Sequence, residues 1–259
     1  MSTGILITSF NRYKYFKKTL HSLSKSNLFP DCEILIIDDA STDSRVIKFI
    51  KSFSIKNIKI EIFFNKQNKG VSSCLRDGFD FLIKKKHEYL TNLDNDVLLD
   101  PLWLTKLHET FSKLDNKTIL SGFNSSNIIN HPIIKKESGL AYKSRIGGIN
   151  LFFHRSLYSF LIRDNLKPFW DDLVSEAMQK NNLSMVCLIP SVIQHTGKSG
   201  LWSTHASYDY AIDFHGKSRL LLNSKSFVEK AIASKMVSLK NLIKLFLQAT
   251  ISKIGFNIY

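Results

Sequence analysis

Asp94-Asn95-Asp96 sets two carboxylates at i and i+2, directly after the apolar run Tyr89-Leu90-Thr91-Asn92-Leu93. Such a pair offers oxygens to a hard divalent cation. Mg²⁺ and Mn²⁺ take one or two carboxylates and fill the shell with phosphates and water. The same residue types also make an ordinary solvated turn. A second acidic pair, Asp38-Asp39, follows Glu33-Ile34-Leu35-Ile36-Ile37. An acid there can hold a ribose hydroxyl or a base N–H, or support the cap of a helix starting near Ser41 or Asp43. A third pair, Asp171-Asp172, stands near the start of a helical stretch, where the helix dipole favours carboxylates. His195 lies in a polar, glycine-bearing stretch, Gln194 to Trp202. No GxGxxG follows the first apolar run and no GKS/T is present, which argues against a Rossmann dinucleotide site and a Walker ATPase.

The elements that must position these residues alternate. Ile5-Leu6-Ile7 is a short strand closed by the polar segment Thr8 to Arg12. Tyr13 to Lys25 then places Phe16, Leu20 and Leu23 at helical spacing. Glu33 to Ile37 is too continuous for a one-sided strand and suits a buried parallel one. Val46 to Phe53 predicts a helix, Ile58 to Phe64 a third strand, Gly70 to Lys86 a third helix and Tyr89 to Leu93 a fourth strand. This alternation predicts a doubly wound α/β half over residues 1–110, with right-handed crossovers. Ligands bind such sheets beyond the carboxyl ends of the strands. The polar clusters fall there: Thr8 to Arg12, Asp38-Asp39, Asn65 to Gly70, and Asp94 to Asp96. From Ile119 to Phe169 the pattern is less regular, with a Gly147-Gly148 turn before Ile149 to Phe153. Pro168 to Asp172 opens a helix reaching about Asn181, and Met185 to Ile189 predicts another strand.

Composition narrows the class. The chain has 259 residues, 44% of them hydrophobic, enough for a sizeable core, and with Gly 11 and Pro 5 it fits no disordered or low-complexity class. Thirty-six basic against 22 acidic side chains give a formal charge of +14, which calls for an acidic counterpart. Cys32, Cys74 and Cys187 are far apart and form no CxxC pair, which predicts reduced thiols and no zinc framework. The start MSTGILITSFNR has no basic n-region and no long apolar core, which predicts no signal peptide and a cytoplasmic setting.

The order LITSFNR, EILIIDDASTD, NKQNKGVSSCLRDGFD and YLTNLDND closely resembles the nucleotide-binding half of inverting family 2 glycosyltransferases of the GT-A fold. The likeness is strong over residues 4–110 and looser through GGINLFFHRS and FWDDLVSEAMQKNN to about residue 203. It implies a mostly parallel central sheet with helices on both faces and a donor that is a nucleotide-diphosphate sugar. It implies a nucleotide-sugar cleft built from Thr8, Phe10, Arg12, Asp38, Asp39, Asn68, Gly70, Arg76, Asp94 and Asn95. Asp94 and Asp96 match the Asp-x-Asp motif for Mn²⁺ or Mg²⁺, with Asp96 the direct ligand and His195 a further one. The catalytic base is implied at Trp170-Asp171-Asp172, either Asp172 or Asp171. Trp170 reads as a core residue or a sugar platform, and Gly147 and Gly148 as a plain turn or the turn an acceptor approaches. Lys198 and Gly197 to Gly200 are expected to close over the diphosphate.

Residues 217–259 carry eight Lys or Arg against one acid, Glu229, so half of the +14 lies there. Phe227, Ala231, Met236, Leu239, Ile243, Phe246 and Thr250 fall near helical spacing. This predicts a basic amphipathic helical tail behind a domain at 1–216 (a nucleotide-binding half at 1–110 and an acceptor-binding half at 111–216). The tail suits an anionic membrane surface, or packs on the domain with a solvated lysine face. The acceptor expected from the resemblance is a glycan or a lipid-linked glycan in bacterial surface polysaccharide synthesis, made at the inner face of the membrane. Nucleic acid is not expected, since no binding motif accompanies the charge. The rival functions are a sugar nucleotidyltransferase, for which TSFNRYK is a poor phosphate loop, and a non-catalytic nucleotide-sugar or membrane-surface binder.

Overall fold

Strands that are apolar at successive positions must be buried on both faces. The computed structural model, which describes residues 2–198, 209–211, 213 and 214, buries them so. Strand β1 (Thr3–Ser9) sends Ile5 and Ile7 into one layer and Leu6 into the other. Strand β2 (Cys32–Asp38) does the same with Ile34 and Ile36 against Leu35 and Ile37. Helices α1 (Tyr13–Leu23) and α2 (Ser44–Ser52) cover the first layer through Phe16, Leu20, Val46 and Ile50. Strand β3 (Lys59–Phe64) is the outer edge, and helix α3 (Val71–Lys84) covers the second layer through Cys74, Leu75, Phe79 and Leu82.

Strand β4 (Tyr89–Leu93) pairs with β1 in parallel, so the order β3-β2-β1-β4 reverses direction of winding between β1 and β4. The chain continues through β5 (Val97–Leu99), α4 (Trp103–Phe111) and β6 (Ile119–Ser121). A hairpin β7 (Ile133–Glu137) and β8 (Leu140–Lys143) follows, then β9 (Phe152–His154). Two short helices, α5 (Arg155–Leu157) and α6 (Arg163–Asn165), flank a π-helical turn at Tyr158–Ile162. Helix α7 (Trp170–Lys180), β10 (Met185–Leu188) and β11 (Ile193–His195) complete the described elements. The main sheet runs β3-β2-β1-β4-β9-β6-β10-β8-β7, with only β9 and β8 opposed to the rest. Strands β5 and β11 form a separate antiparallel pair at its rim.

The expected alternation is present, with helices on both faces. Three features depart from the sequence reading. Gln194 and His195, expected in a loop, belong to strand β11 (Ile193–His195), too short to show periodicity. The irregular middle contains the β7–β8 hairpin, whose outer strand is exposed and carries no apolar alternation. Helix α3 starts one residue late because Gly70 sits at φ 81 before it. Cys32, Cys74 and Cys187 are free and buried. Among the described residues no helix is long and apolar enough to cross a membrane. Residues 199 and 200 of the expected closing segment Gly197 to Gly200, and the tail at 217–259, lie outside the described residues.

His108 ties α4 to the sheet. Its Nε2 lies 2.8 Å from Thr3 Oγ1, and its ring meets Phe29, Tyr89 and Phe152 edge-on. Burial pushes its pKa down to about 4. An unfolded His titrates near pH ~6.5, so from there downward the unfolded chain takes up a proton that the folded chain refuses. The stability due to neutral His108 is complete above that pH and is lost as pH falls towards 4, by roughly 2–3 kcal/mol. Urea unfolding at about pH 7 and pH 4.5 should show His108→Gln losing less stability on acidification than the wild type. Equal losses would show that His108 is not the group responsible.

Candidate functional site

The sheet's switch point lies between β1 and β4, the place where ligands of such sheets bind beyond the strand ends. The turn after β1 holds Asn11 at φ 54 and Arg12 at φ 59. That backbone region is uncommon for residues with a Cβ. It is fixed by the neighbouring turn after β2: Asn11 N donates to Ser41 Oγ at 2.7 Å, and Asn11 Oδ1 accepts from Thr42 N and Asp43 N at 2.9 and 3.0 Å. Arg12, so aimed, stacks over Tyr15 and places Nη1 2.7 Å from Asp96 Oδ2.

Asp96 is delivered by the β5–β11 pair. Thr19 Oγ1 of α1 bonds both N and O of Val97, holding β5, and the ladder sets His195 opposite Val97. Thr196 donates both its N–H and its hydroxyl to the Asp96 carbonyl, each at 2.7 Å. His195 Nε2 comes to 3.2 Å from Asp96 Oδ2, while Nδ1 lies 2.7 Å from the Asp209 carbonyl oxygen. A carbonyl only accepts, so Nδ1 carries the hydrogen and Nε2 faces Asp96. Gly197 closes the cluster, since a side chain there would overlap Asp96 Oδ2 and crowd Arg12.

The electrostatics split the two carboxylates. Burial, with the charge of Asp96 beside it, raises the pKa of Asp94. Burial alone would raise Asp96 too, but His195 and Arg12 outweigh it and the pKa is lowered. Burial works against charge on His195, yet Asp96 and the hydrogen bonds to Asp96 and Asp209 hold its pKa up. Carboxylate oxygens, and an imidazole whose far nitrogen is fixed by a carbonyl, are ligand types that a divalent cation takes. Among the described residues no three His, Cys, Asp or Glu side chains converge into a ready-made cage. A cation here would need ligands from the substrate.

The opposite wall is set by two buried asparagines. Asn92 Nδ2 donates to the Gly148 carbonyl at 2.7 Å and its Oδ1 accepts from Leu151 N at 2.9 Å. Asn150 Nδ2 donates to Thr91 Oγ1 and the Asn92 carbonyl, and its Oδ1 accepts from Gly122 N. These bonds pin Gly147-Gly148 beside the end of β4. Gly148 lies flat against the Trp170 ring, which any side chain there would strike. Trp170 is 7% exposed and belongs to the core, so it supports the turn from behind and presents no open sugar platform. Helix α7 starts after Phe169, held at φ 63, and carries Asp171 and Asp172 in its first turn. Burial, helped by the Asp172 charge, raises the pKa of Asp171. Asp172 pairs with Arg145 Nη2.

The remaining expected residues divide. Thr8 is half-buried, and Phe10 and Arg76 are exposed. Asp38 is 0% exposed, with both oxygens bonded to Ser41 at 2.6 and 2.9 Å. Its carboxylate builds the turn after β2, the supporting role that the sequence also allowed. Asp39 accepts from Asn65 Nδ2, Lys69 N and Gly70 N, organising the loop that carries Asn68 and Gly70. Asn95 is half-buried between the two acids. No motif marks Arg145, His131 or Asp209, whose contacts join distant segments. Asn92 and Asn150 were open to suspicion as polar residues inside apolar runs.

Gly148→Ala tests this wall. The added methyl group must displace Trp170 and the start of α7, which is expected to cost about 1–3 kcal/mol. Urea unfolding followed by tryptophan fluorescence reads it, and an unchanged midpoint would mean that Gly148 and Trp170 are not in contact.

Comparison with known proteins agrees with this geometry. The family model described as glycosyl transferase family 2 matches residues 4–169. Chondroitin synthase of Escherichia coli is 27% identical over 118 residues, 45% of this chain. The match spans only 16% of the length of that enzyme. The S. aureus TarS fragment 1–349 in complex with UDP-GlcNAc superposes with TM-score 0.60 at 13% identity, covering 96% of this chain and 81% of the other. The same fragment in complex with UDP gives TM-score 0.54 at 11% identity, covering 99% and 73%. These likenesses support the GT-A fold. With a family match over most of its length and a mostly parallel GT-A sheet, the chain belongs to glycosyl transferase family 2 and is a glycosyltransferase.

Proposed function

We propose that this enzyme moves a sugar, with inversion, from a nucleotide-diphosphate sugar to an acceptor hydroxyl, with Mn²⁺ or Mg²⁺ at Asp96 and Asp94. The observation that carries the reading is the rim of the switch point. There Asp94 and Asp96 share a buried cluster with Arg12 and His195, and the charge of Asp171 reaches Asp94 from the far wall. The bound cation would supply neutralisation of charge on the departing diphosphate. The TarS complexes with UDP-GlcNAc and UDP make uridine diphosphate sugars the first donors to test.

The acceptor oxygen attacks the anomeric carbon from the face opposite the diphosphate, so its proton must go to a carboxylate on that side. Asp171 fits this role better than Asp172. Its raised pKa suits a proton acceptor, whereas Asp172 is held by Arg145. Arg12 and His195 stand on the leaving-group side. A glycan or lipid-linked acceptor, and a place in bacterial surface polysaccharide synthesis, belong to the same proposal and draw support from the family and from the basic segment 217–259.

A panel of UDP-sugars with Mn²⁺ should show one donor from which UDP is released and whose turnover depends on the metal. Failure of every nucleotide sugar to turn over, with or without metal, would refute the reading. With the active donor, Asp171→Asn should cut kcat by about 10²–10⁴-fold, and Asp172→Asn by at least tenfold less. A larger loss in Asp172→Asn would move the base to Asp172.

A further inference from the structure

Asp209 serves both walls of the cleft. Its main-chain oxygen holds His195 Nδ1 at 2.7 Å, and its carboxylate Oδ2 lies 3.7 Å from His131 Nε2. The other carboxylate oxygen, Oδ1, is buried with no hydrogen-bond partner, and so are His131 Nδ1 and Arg145 Nε. Leaving such atoms unpaired is costly, and folded proteins pair nearly all of them. Their grouping is not random. The His131 ring sits 3.3 Å from where a Gly147 side chain would begin, and His131 feels the charges of Asp209, Lys143 and Arg145. Arg145 in turn pairs with Asp172. The unmade bonds therefore lie next to the carboxylates that open α7.

The charges around them limit what can fill the place. Asp172 and Asp209 are acidic and Arg145 is basic. Buried Lys143 donates to the Ser125 carbonyl at 3.3 Å and faces Asp209 and Asp213. Burial lowers the pKa of His131. With His131 neutral, two cations meet three carboxylates, so the cluster has no positive surplus to attract an anion. A carboxylate oxygen asks for a donor, a guanidinium nitrogen asks for an acceptor, and a hydroxyl group supplies both.

We propose that Asp209, His131 and Arg145 bind the acceptor, gripping a neutral polyhydroxylated sugar ring beside Asp172. The proposal rests on the glycosyltransferase reading above and narrows its acceptor to an uncharged ring, against a uronate or a phosphorylated sugar. Because the Asp209 main chain also sets His195 against Asp96, acceptor and donor sides share this residue.

The test uses the full chain saturated with UDP and Mn²⁺, and saturation-transfer NMR with methyl β-glucoside, methyl β-N-acetylglucosaminide and methyl β-glucuronide. At least one neutral glycoside is expected to bind at least tenfold more tightly than the glucuronide. Asp209→Ala should weaken that binding at least tenfold, and Asp209→Asn, which keeps an oxygen acceptor, should restore part of it. Arg145→Gln gives a second reading if Asp209→Ala fails to fold, with the same direction expected. UDP bound by a wild type that takes no neutral glycoside, or takes the glucuronide as well, would overturn the acceptor assignment and leave the donor reading standing. Unchanged affinity in both Asp209→Asn and Arg145→Gln would overturn it too. Failure to bind UDP at all would overturn the donor reading and this inference with it.

Discussion

A carboxylate exposed to only 4% of its free surface must be matched by positive charge, and at Asp96 that requirement binds three distant pieces of chain. Arg12 comes from the turn after β1, His195 from the end of β11, and Asp96 itself from the turn after β4. Each is held by devices of its own. Asn11 locks the first turn against the second, Thr19 fixes β5, and Thr196 bonds the Asp96 main chain twice. Remove the matched charge and none of these devices has an evident purpose. Two left-handed residues in succession, Asn11 and Arg12, are a local cost that makes sense where a guanidinium has to be aimed.

The opposite wall follows a different logic, built on neutral contacts. Asn92 and Asn150 direct their side-chain hydrogen bonds to main-chain and hydroxyl groups and so fix the relative position of β4 and the Gly147-Gly148 turn. Gly148 and Trp170 then transmit that position to α7 by contact of backbone against ring. The first-turn acids of α7 are thereby set opposite the Asp94–Asp96 rim without any ion pair joining the two. The charged rim and the neutral wall are separate constructions that meet through Asp209.

Much of the fold was legible because its strands are buried on both faces. Leu6 and Ile7, or Leu35 and Ile36, serve opposite layers, and such runs cannot be confused with one-sided strands. The three-residue strands β5 and β11 could not be read, since two or three side chains carry no period, and β11 is the element that delivers His195. The site was legible where chemistry follows a strand end, as at Asp94 to Asp96. It was ambiguous at Asp38, because an acid after a strand looks the same whether its oxygens face a ligand or a Ser41 turn. It was invisible at Arg145, His131 and Asp209, whose roles arise from contacts across 27 to 78 residues of sequence.

The Asp96 cluster is proposed as the metal-bearing half of a nucleotide-sugar site. Calorimetric titration of UDP into the protein, with and without Mn²⁺, tests it most directly. The account predicts that Mn²⁺ tightens UDP binding by at least tenfold in the wild type and gives no such gain in Asp96→Asn. UDP binding that ignores Mn²⁺ in the wild type, or a gain that survives in Asp96→Asn, would contradict it.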